Sequence, residues 1–343
     1  MEANAKRARL LSLRTAVVLG TIATAIVSGA CSSDESAREE EKGPPAGDLS
    51  IEPVASSAEA AMPVDATPSP DGSEVYFIAT TRRADPDGLG FERLPAVFKV
   101  SAKGGPITKL HEGAPLSAPF GITVSDDGRT LFLADASADT SDERSDGKVF
   151  VMSAAGGVPS ALPGTEGLAP GGVEVHGDAL YVTGKKDGRA GLFRIGLGGG
   201  DLAPLAVGGA FVDPTGVAVA KSGDAYVVDS GSATQAQALA SVVKVSPDGR
   251  AEVLLEGLVV GHPGGIALTS DDRTLLVSGL DPGKGTDVVT KVDLASVEVT
   301  EITRTIGDFY ESAGLHRARS TNVFAWADSH ANGSGTVYVL GNR

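Results

Sequence analysis

The chain repeats itself six times between Met62 and its end. Each copy carries a Pro, two small residues, an alternating apolar stretch, an acidic or glycine turn and a second apolar stretch. The copies read MPVDATPSPDGSEVYFIAT from Met62, APFGITVSDDGRTLFLADA from Ala118 and APGGVEVHGDALYVTG from Ala169. DPTGVAVAKSGDAYVVDS follows from Asp213, HPGGIALTSDDRTLLVSG from His262 and the weaker ESAGLHRARSTNVFAWADS from Glu311. Their spacing of about 44 to 56 residues is the length of one propeller blade.

Within each unit, apolar alternation and turn residues mark four short strands. The third and fourth appear as AVFKVSAKGGPITKL, KVFVMSAAGGVPSAL, GLFRIGLGGGDLAPL, SVVKVSPDGRAEVLL and VVTKVDLASVEVTEI. Asp-Gly or Gly-Gly turns separate the halves, as antiparallel hairpins require. The 45 glycines among 343 residues, about twice the usual share, fit a chain built of tight turns. The sixth unit stops after GTVYVLGNR, at its third strand, and the missing outer strand can come from LSIEPV at residues 49–54. Sharing one blade between the termini removes the free edge of the ring. The expectation is an all-β fold, a six-bladed β-propeller over residues 49–343, closed by an N-terminal strand in the last blade.

This pattern resembles the six-bladed propellers of the NHL-repeat and gluconolactonase/regucalcin-like group. The resemblance covers residues 49–343 and implies a scaffold that hosts several functions. In the lactonase members a divalent cation such as calcium sits in the central channel, held by Glu, Asn and Asp side chains just before the Gly of particular inner strands. Such a cation polarises the lactone carbonyl and helps activate water. The equivalent positions here are Val64, Phe120, Gly171, Thr215, Gly264 and Ala313. None is a carboxylate or carboxamide, and a one-residue slip brings in only Asp65. The family's metal cage is not carried over, and no cofactor is expected on that ground.

A second constellation can be read from the strand ends. The start of an inner strand and the end of a second strand share one face, so Asp213, His262 and Glu311 would meet Asp135, Asp229 and Asp328 around one channel mouth, with His330 close by. Asp135, Asp213, Asp229, His262 and Asp328 make a candidate cation site for calcium or another divalent ion, with His262 or His330 as general base. The competing reading is that strand-end aspartates cap turns through backbone N–H groups, and it is preferred because turns demand acids. Asp85-Pro-Asp87-Gly88 begins like a calcium loop but lacks the later ligands. Gly198-Gly199-Gly200 opens no helix, and no Gly-x-Ser-x-Gly elbow occurs.

The loops between second and third strands vary in length and chemistry: TTRRADPDGLGFERLPA, ASADTSDERSDGK, GKKDGRAG and SGSATQAQALAS. Variation on one face of a rigid scaffold is how a binding surface is built. Arg82, Arg83, Phe91 and Arg93 form the candidate binding loop, since Arg and aromatic residues dominate interface energetics. Lys185 and Lys186 add positive charge to the rim.

Ahead of the repeats, Lys6, Arg7, Arg9 and Arg14 precede an apolar run from Thr15 to Val27 and the small residues Ser28-Gly29-Ala30. That is the three-part pattern of an export signal over residues 1–30, too short to span a bilayer. It ends at Cys31, the only cysteine. A cysteine in that place resembles the lipobox of bacterial lipoproteins, which implies acylation of Cys31. The Ser32 that follows implies the outer membrane in a Gram-negative cell. Residues 31–48 are charged and Pro-bearing and read as a flexible tether. Removing residues 1–30 takes away four basic groups and one acid, moving the net charge from −15 to −18. Such acidity disfavours nucleic acid as a partner. The expected protein is a lipid-anchored propeller of the bacterial envelope, a non-catalytic binding or scaffold module whose loop-rich face meets an envelope protein or small ligand. The alternative is a metal-dependent hydrolase of the lactonase or esterase type with a rearranged cation site.

Overall fold

A computed structural model of the chain describes residues 49–84, 90–137, 147–231, 239–301 and 312–341. The signal segment, Cys31, the tether, Asp85, Asp87 and Glu311 lie outside the described residues. Alternating apolar residues and Asp-Gly or Gly-Gly turns fold the described chain into six antiparallel sheets of four strands each. From the inner strand outward, blade one is Ala61–Pro68, Glu74–Ala84, Phe91–Ser101 and Thr108–Glu112. Blade two is Pro119–Val124, Thr130–Asp135, Lys148–Ser153 and Ser160–Ala161. Blade three is Leu168–His176, Ala179–Lys186, Arg189–Gly196 and Ala203–Val207. Blade four is Pro214–Val219, Ala225–Asp229, Ala240–Val245 and Ala251–Leu258. Blade five is Ile266–Leu268, Thr274–Asp281, Thr286–Asp293 and Val299–Glu301.

Blade six takes three strands from the end of the chain, Ser312–Arg317, Phe324–Asp328 and Thr336–Gly341. Its outer strand is Ser50–Ala55, paired antiparallel so that Ser50 lies opposite Gly341 and Pro53 opposite Tyr338. Antiparallel order gives the ring two unlike faces. One, the turn face, carries the short links from first to second strand. The other, the loop face, carries the links from second to third strand and the connections between blades. Gly341 neighbours Asn322 and Val323 of a first-to-second link, so the chain enters the ring at Ser50 on the turn face.

Because side chains alternate along a strand, each blade buries apolar groups on both of its sides. Phe77 and Ala79 of blade one pack with Ala325, Ala327 and Val337 of blade six. Their neighbours Tyr76 and Ile78 pack with Ile122, Leu131 and Leu133 of blade two. The pattern continues around the ring, with one apolar cluster at each interface between blades. Trp326, Phe324 and Tyr338 fill the space between blades five and six.

Many of the chain's acids are spent on turns. In blade one the Ser69 hydroxyl donates to Asp71 at 2.6 Å, and Asp71 accepts the Ser73 N–H. Ser125 with Asp127 and Thr269 with Asp271 repeat the arrangement in blades two and five. Hydrogen bonds of this kind, from a nearby hydroxyl and backbone N–H, hold the Asp71 and Asp127 carboxyls below the usual carboxylate range.

Inner strands approach one another very closely. A methyl group on Gly172 would lie 2.2 Å from the Thr215 carbonyl oxygen, and one on Gly314 would lie 1.7 Å from Asp65 Oδ1. Gly121, Gly172, Gly216, Gly265 and Gly314 hold the same place in successive blades, and blade one alone has a side chain there, Asp65.

Candidate functional site

Asp65 is therefore the group admitted into a throat otherwise walled by glycine. Its Oδ2 accepts the Ile122 N–H of blade two at 2.8 Å and meets His316 Nε2 of blade six at 3.1 Å. The other ring nitrogen of His316, Nδ1, lies 3.2 Å from Glu174 of blade three. Arg319, just beyond the same strand as His316, reaches Glu174, Asp126 at 3.1 Å, and the Thr123 hydroxyl and Val124 carbonyl at 3.3 Å. Four blades are thus tied across the axis by one ionic network.

Burial and neighbouring charge compete at His316 and Glu174. Burial opposes the charge on His316, but Asp65 and Glu174 together raise its pKa to about 10. Burial likewise opposes ionisation of Glu174, yet the charges of Arg319 and His316 hold it at about 2. Along the axis the remaining voids are about 10 Å³ beside Asp65 and His316 and about 20 Å³ beside Glu174 and Arg319. A void of that size has room for about one water. Charged side chains thus occupy this part of the axis.

The structure places the channel-mouth acids on the loop face, each with partners of its own. Asp135 accepts the N–H groups of Ser117 at 2.7 Å, Ala118 at 3.0 Å and Ser137 at 3.1 Å. Asp229 does the same for Val212 at 2.7 Å, Asp213 at 3.2 Å and Gly231 at 3.0 Å. Asp328 accepts from His330 and Ala331 through Oδ1. Its carboxyl also faces Asp287 of blade five, and both residues are fully buried. Burial pushes the Asp328 pKa up, against the lowering effect of its polar neighbours, the N–H groups of His330 and Ala331 among them.

Asp213 and His262 do come together, with Nε2 3.2 Å from Asp213 Oδ2, and Lys185 Nζ lies 2.8 Å from Asp213 Oδ1. Phe120 stands edge-on to the His262 ring at 5.7 Å. Burial opposes ionisation of Asp213, but His262 and Lys185 keep its pKa below the usual range. Among the described residues no three His, Cys, Asp or Glu side chains are grouped to hold a metal ion.

The candidate binding loop is a long hairpin. Blade one's second and third strands run to Ala84 and from Phe91, pairing Arg82 with Arg93 and Ala84 with Phe91. The Arg82 guanidinium lies over the Phe91 ring at 4.4 Å, and Phe91 is 64 % exposed. Arg93 donates to the Met62 sulfur at 2.9 Å and reaches the Thr80 hydroxyl at 3.5 Å. Arg83, on the opposite side of the hairpin, is paired with Glu92 at 2.6 Å. All four predicted residues therefore sit on one hairpin, but only Arg82, Phe91 and Arg93 share a side of it.

Sequence reasoning named Asp65 only as a slipped position and missed Glu174, His316 and Arg319. The available signal was an acid where the other five copies have Gly, and Glu174 and His316 at a place where the other four copies have Thr or Ala.

No family model matches the chain and no curated protein matches it. Solved structures do. A PQQ-bound aldose sugar dehydrogenase from Streptomyces coelicolor aligns with a TM-score of 0.61 and 15 % identity, over 87 % of this chain and 99 % of that one. A protein of unknown function from Dyadobacter fermentans aligns with a TM-score of 0.58 and 12 % identity, over 85 % and 98 %. TolB from Acinetobacter baumannii aligns with a TM-score of 0.52 and 12 % identity over 70 % of this chain, which spans about half, 54 %, of the TolB chain. At such identities the likeness shows the β-propeller fold alone.

Proposed function

We propose that the chain is an exported, lipid-anchored propeller of the bacterial cell envelope that acts as a non-catalytic binding or scaffold module through its loop face. The observation that carries this reading is a pairing of two features. The axial passage, where the gluconolactonase-like group keeps its cation, is filled by the Asp65, His316, Glu174 and Arg319 network. The loop face, by contrast, presents a projecting hairpin with an exposed aromatic residue and arginines. Anchoring through Cys31, with the outer membrane as its place in a Gram-negative cell, rests on the signal pattern and Ser32.

Site-specific photo-crosslinking in the producing cell tests it. A crosslinker at Phe91 should give a discrete adduct in the membrane fraction, and one at Val158, 77 % exposed on the turn face, should give none. Cys31→Ser should release the protein from membranes. Equal yields at both positions, or membrane association that survives Cys31→Ser, would refute the corresponding half of the proposal.

A hydrolase remains the second reading, favoured by one observation: the half-exposed His262 is oriented by Asp213 at the channel mouth. Its test is thermal unfolding with calcium set against a chelator. A cation at 100 times its dissociation constant adds about 2.7 kcal/mol. A shift abolished by Asp213→Ala would support a cation site there; no shift with calcium, magnesium or manganese would sink this reading.

A further inference from the structure

We infer that Arg82, Arg93 and Phe91 form a docking surface for an acidic peptide segment of a protein partner. This deepens the binding-face reading and rests on it. The register places Arg82 and Arg93 directly opposite one another on neighbouring strands. Like charges in that relation repel and weaken the hairpin. In a chain with a net charge of −15, a carboxylate to separate them would be easy to supply. Arg83 has one, Glu92, at 2.6 Å. Among the described residues neither Arg82 nor Arg93 is paired with an acid. Arg93 spends its donors on a thioether and a hydroxyl, and Arg82 lies over an aromatic ring.

The two guanidinium groups stand on one side of the hairpin, and each offers N–H donors suited to a carboxylate. The adjoining Phe91, exposed at the hairpin's end, offers an apolar anchor of the kind that dominates interface energies. The complementary partner is a segment that alternates acidic with apolar residues. An anionic lipid surface shares the acidic chemistry but is disfavoured by position. Ser50, which opens the outer strand of blade six, lies on the turn face, opposite the hairpin.

The test uses the full-length protein in a nonionic detergent micelle and a fluorescein-labelled nonapeptide of alternating Glu and Leu, read by anisotropy. Saturable binding is expected, weakening as salt rises from about 20 to 200 mM. Arg82→Gln, Arg93→Gln and Phe91→Ser should each weaken it about tenfold, and Arg83→Gln should leave it within about twofold. Failure of the peptide to bind, or equal binding of a Lys-Leu peptide, would overturn the inference. So would co-sedimentation of full-length Cys31→Ser protein with phosphatidylglycerol vesicles through Arg82 and Arg93 while the peptide is ignored, which would assign the surface to lipid. Persistence of the Phe91 crosslink without peptide binding would remove the acidic class alone. Loss of both would remove the binding face itself.

Discussion

Replacing Arg319 with alanine should lower the stability of the propeller by about 4 kcal/mol. The magnitude follows from what the guanidinium touches. Its contact with Asp126 is half-exposed on the acid's side and contributes at most about 1 kcal/mol. Its contact with Glu174 is mostly buried, the two side chains being 23 % and 12 % exposed, and removing one partner of a buried pair costs up to about 3–5 kcal/mol because the other charge is left uncompensated. His316 remains beside Glu174 and shares part of the burden, which places the sum near the middle of that range. For a ring of roughly 295 residues, the entropy of unfolding turns 4 kcal/mol into a fall in Tm of about 6 °C. Urea unfolding followed by far-UV circular dichroism reads the free energy, and calorimetry reads Tm. If the charge argument holds, adding Glu174→Gln to Arg319→Ala should recover at least half of the loss, since the orphaned charge disappears. A loss below about 1 kcal/mol, or no recovery in the double variant, would refute the claim that the axial network is an electrostatic clasp.

The same network sets a pH profile. The Glu174 pKa is depressed from 4.5 to about 2, so its contribution is present above pH 4.5 and lost as pH falls toward 2. The His316 pKa is raised from 6.5 to about 10, so its contribution is full below pH 6.5 and lost as pH rises through 10. Stability measured by urea midpoints should be greatest between those limits, with Glu174→Gln flattening the acid side and His316→Gln the alkaline side. Gly314→Ala should destabilise by about 3 kcal/mol or more, because the new methyl group collides with Asp65, and Asp65→Gly in the same chain should restore part of it. Soluble yield and Tm of the single and double variants decide the matter. Asp328→Asn should raise stability at pH 8, read as a higher urea midpoint. The raised pKa of Asp328 gives stability below 3.8 that is lost as pH rises through the folded value, whereas Asn is neutral throughout and keeps an acceptor for the N–H groups of His330 and Ala331. A variant less stable than the parent at pH 8 would refute the claim that burial works against the charged form of Asp328.

The architecture was legible because propeller blades write themselves into local sequence. Alternation and Asp-Gly turns are set by residues close along the chain, and the spacing from Met62 to Glu311 exposes the ring. The loop-face hairpin was legible in the same way, since Arg82, Arg83, Phe91 and Arg93 lie close together along the chain. The axial network was not, because Asp65, Glu174 and His316 meet only when the ring closes, 251 residues separating Asp65 from His316. The sixth copy reads as degenerate for a related physical reason. Its inner strand carries Arg317 where the other blades carry Pro, Val or Leu, and His316 where all but blade three carry Thr or Ala. His316 and Arg319 there supply cations to carboxylates from blades one, two and three. Among the mouth residues, spacing alone could not separate a turn cap from a ligand. Asp135 and Asp229 carry out the first role through three N–H groups each.

The seam in blade six also imposes a schedule. Ser50 finds its hydrogen-bonding partner in Gly341, 291 residues later. On a growing or translocating chain, the first strand of the propeller to emerge is therefore the one that waits longest for a neighbour. Blades one to five can each assemble from contiguous residues, but the ring cannot shut until its final strand has arrived. Contacts so distant in sequence form late and slowly. Until then Ser50–Ala55 is an unpaired strand, and such edges are open to wrong partners. Pro53, within that strand, lacks an N–H to offer an intruder. A chain cut short by even its last strand would keep that edge open, so the completeness of synthesis is read out by whether the circle closes.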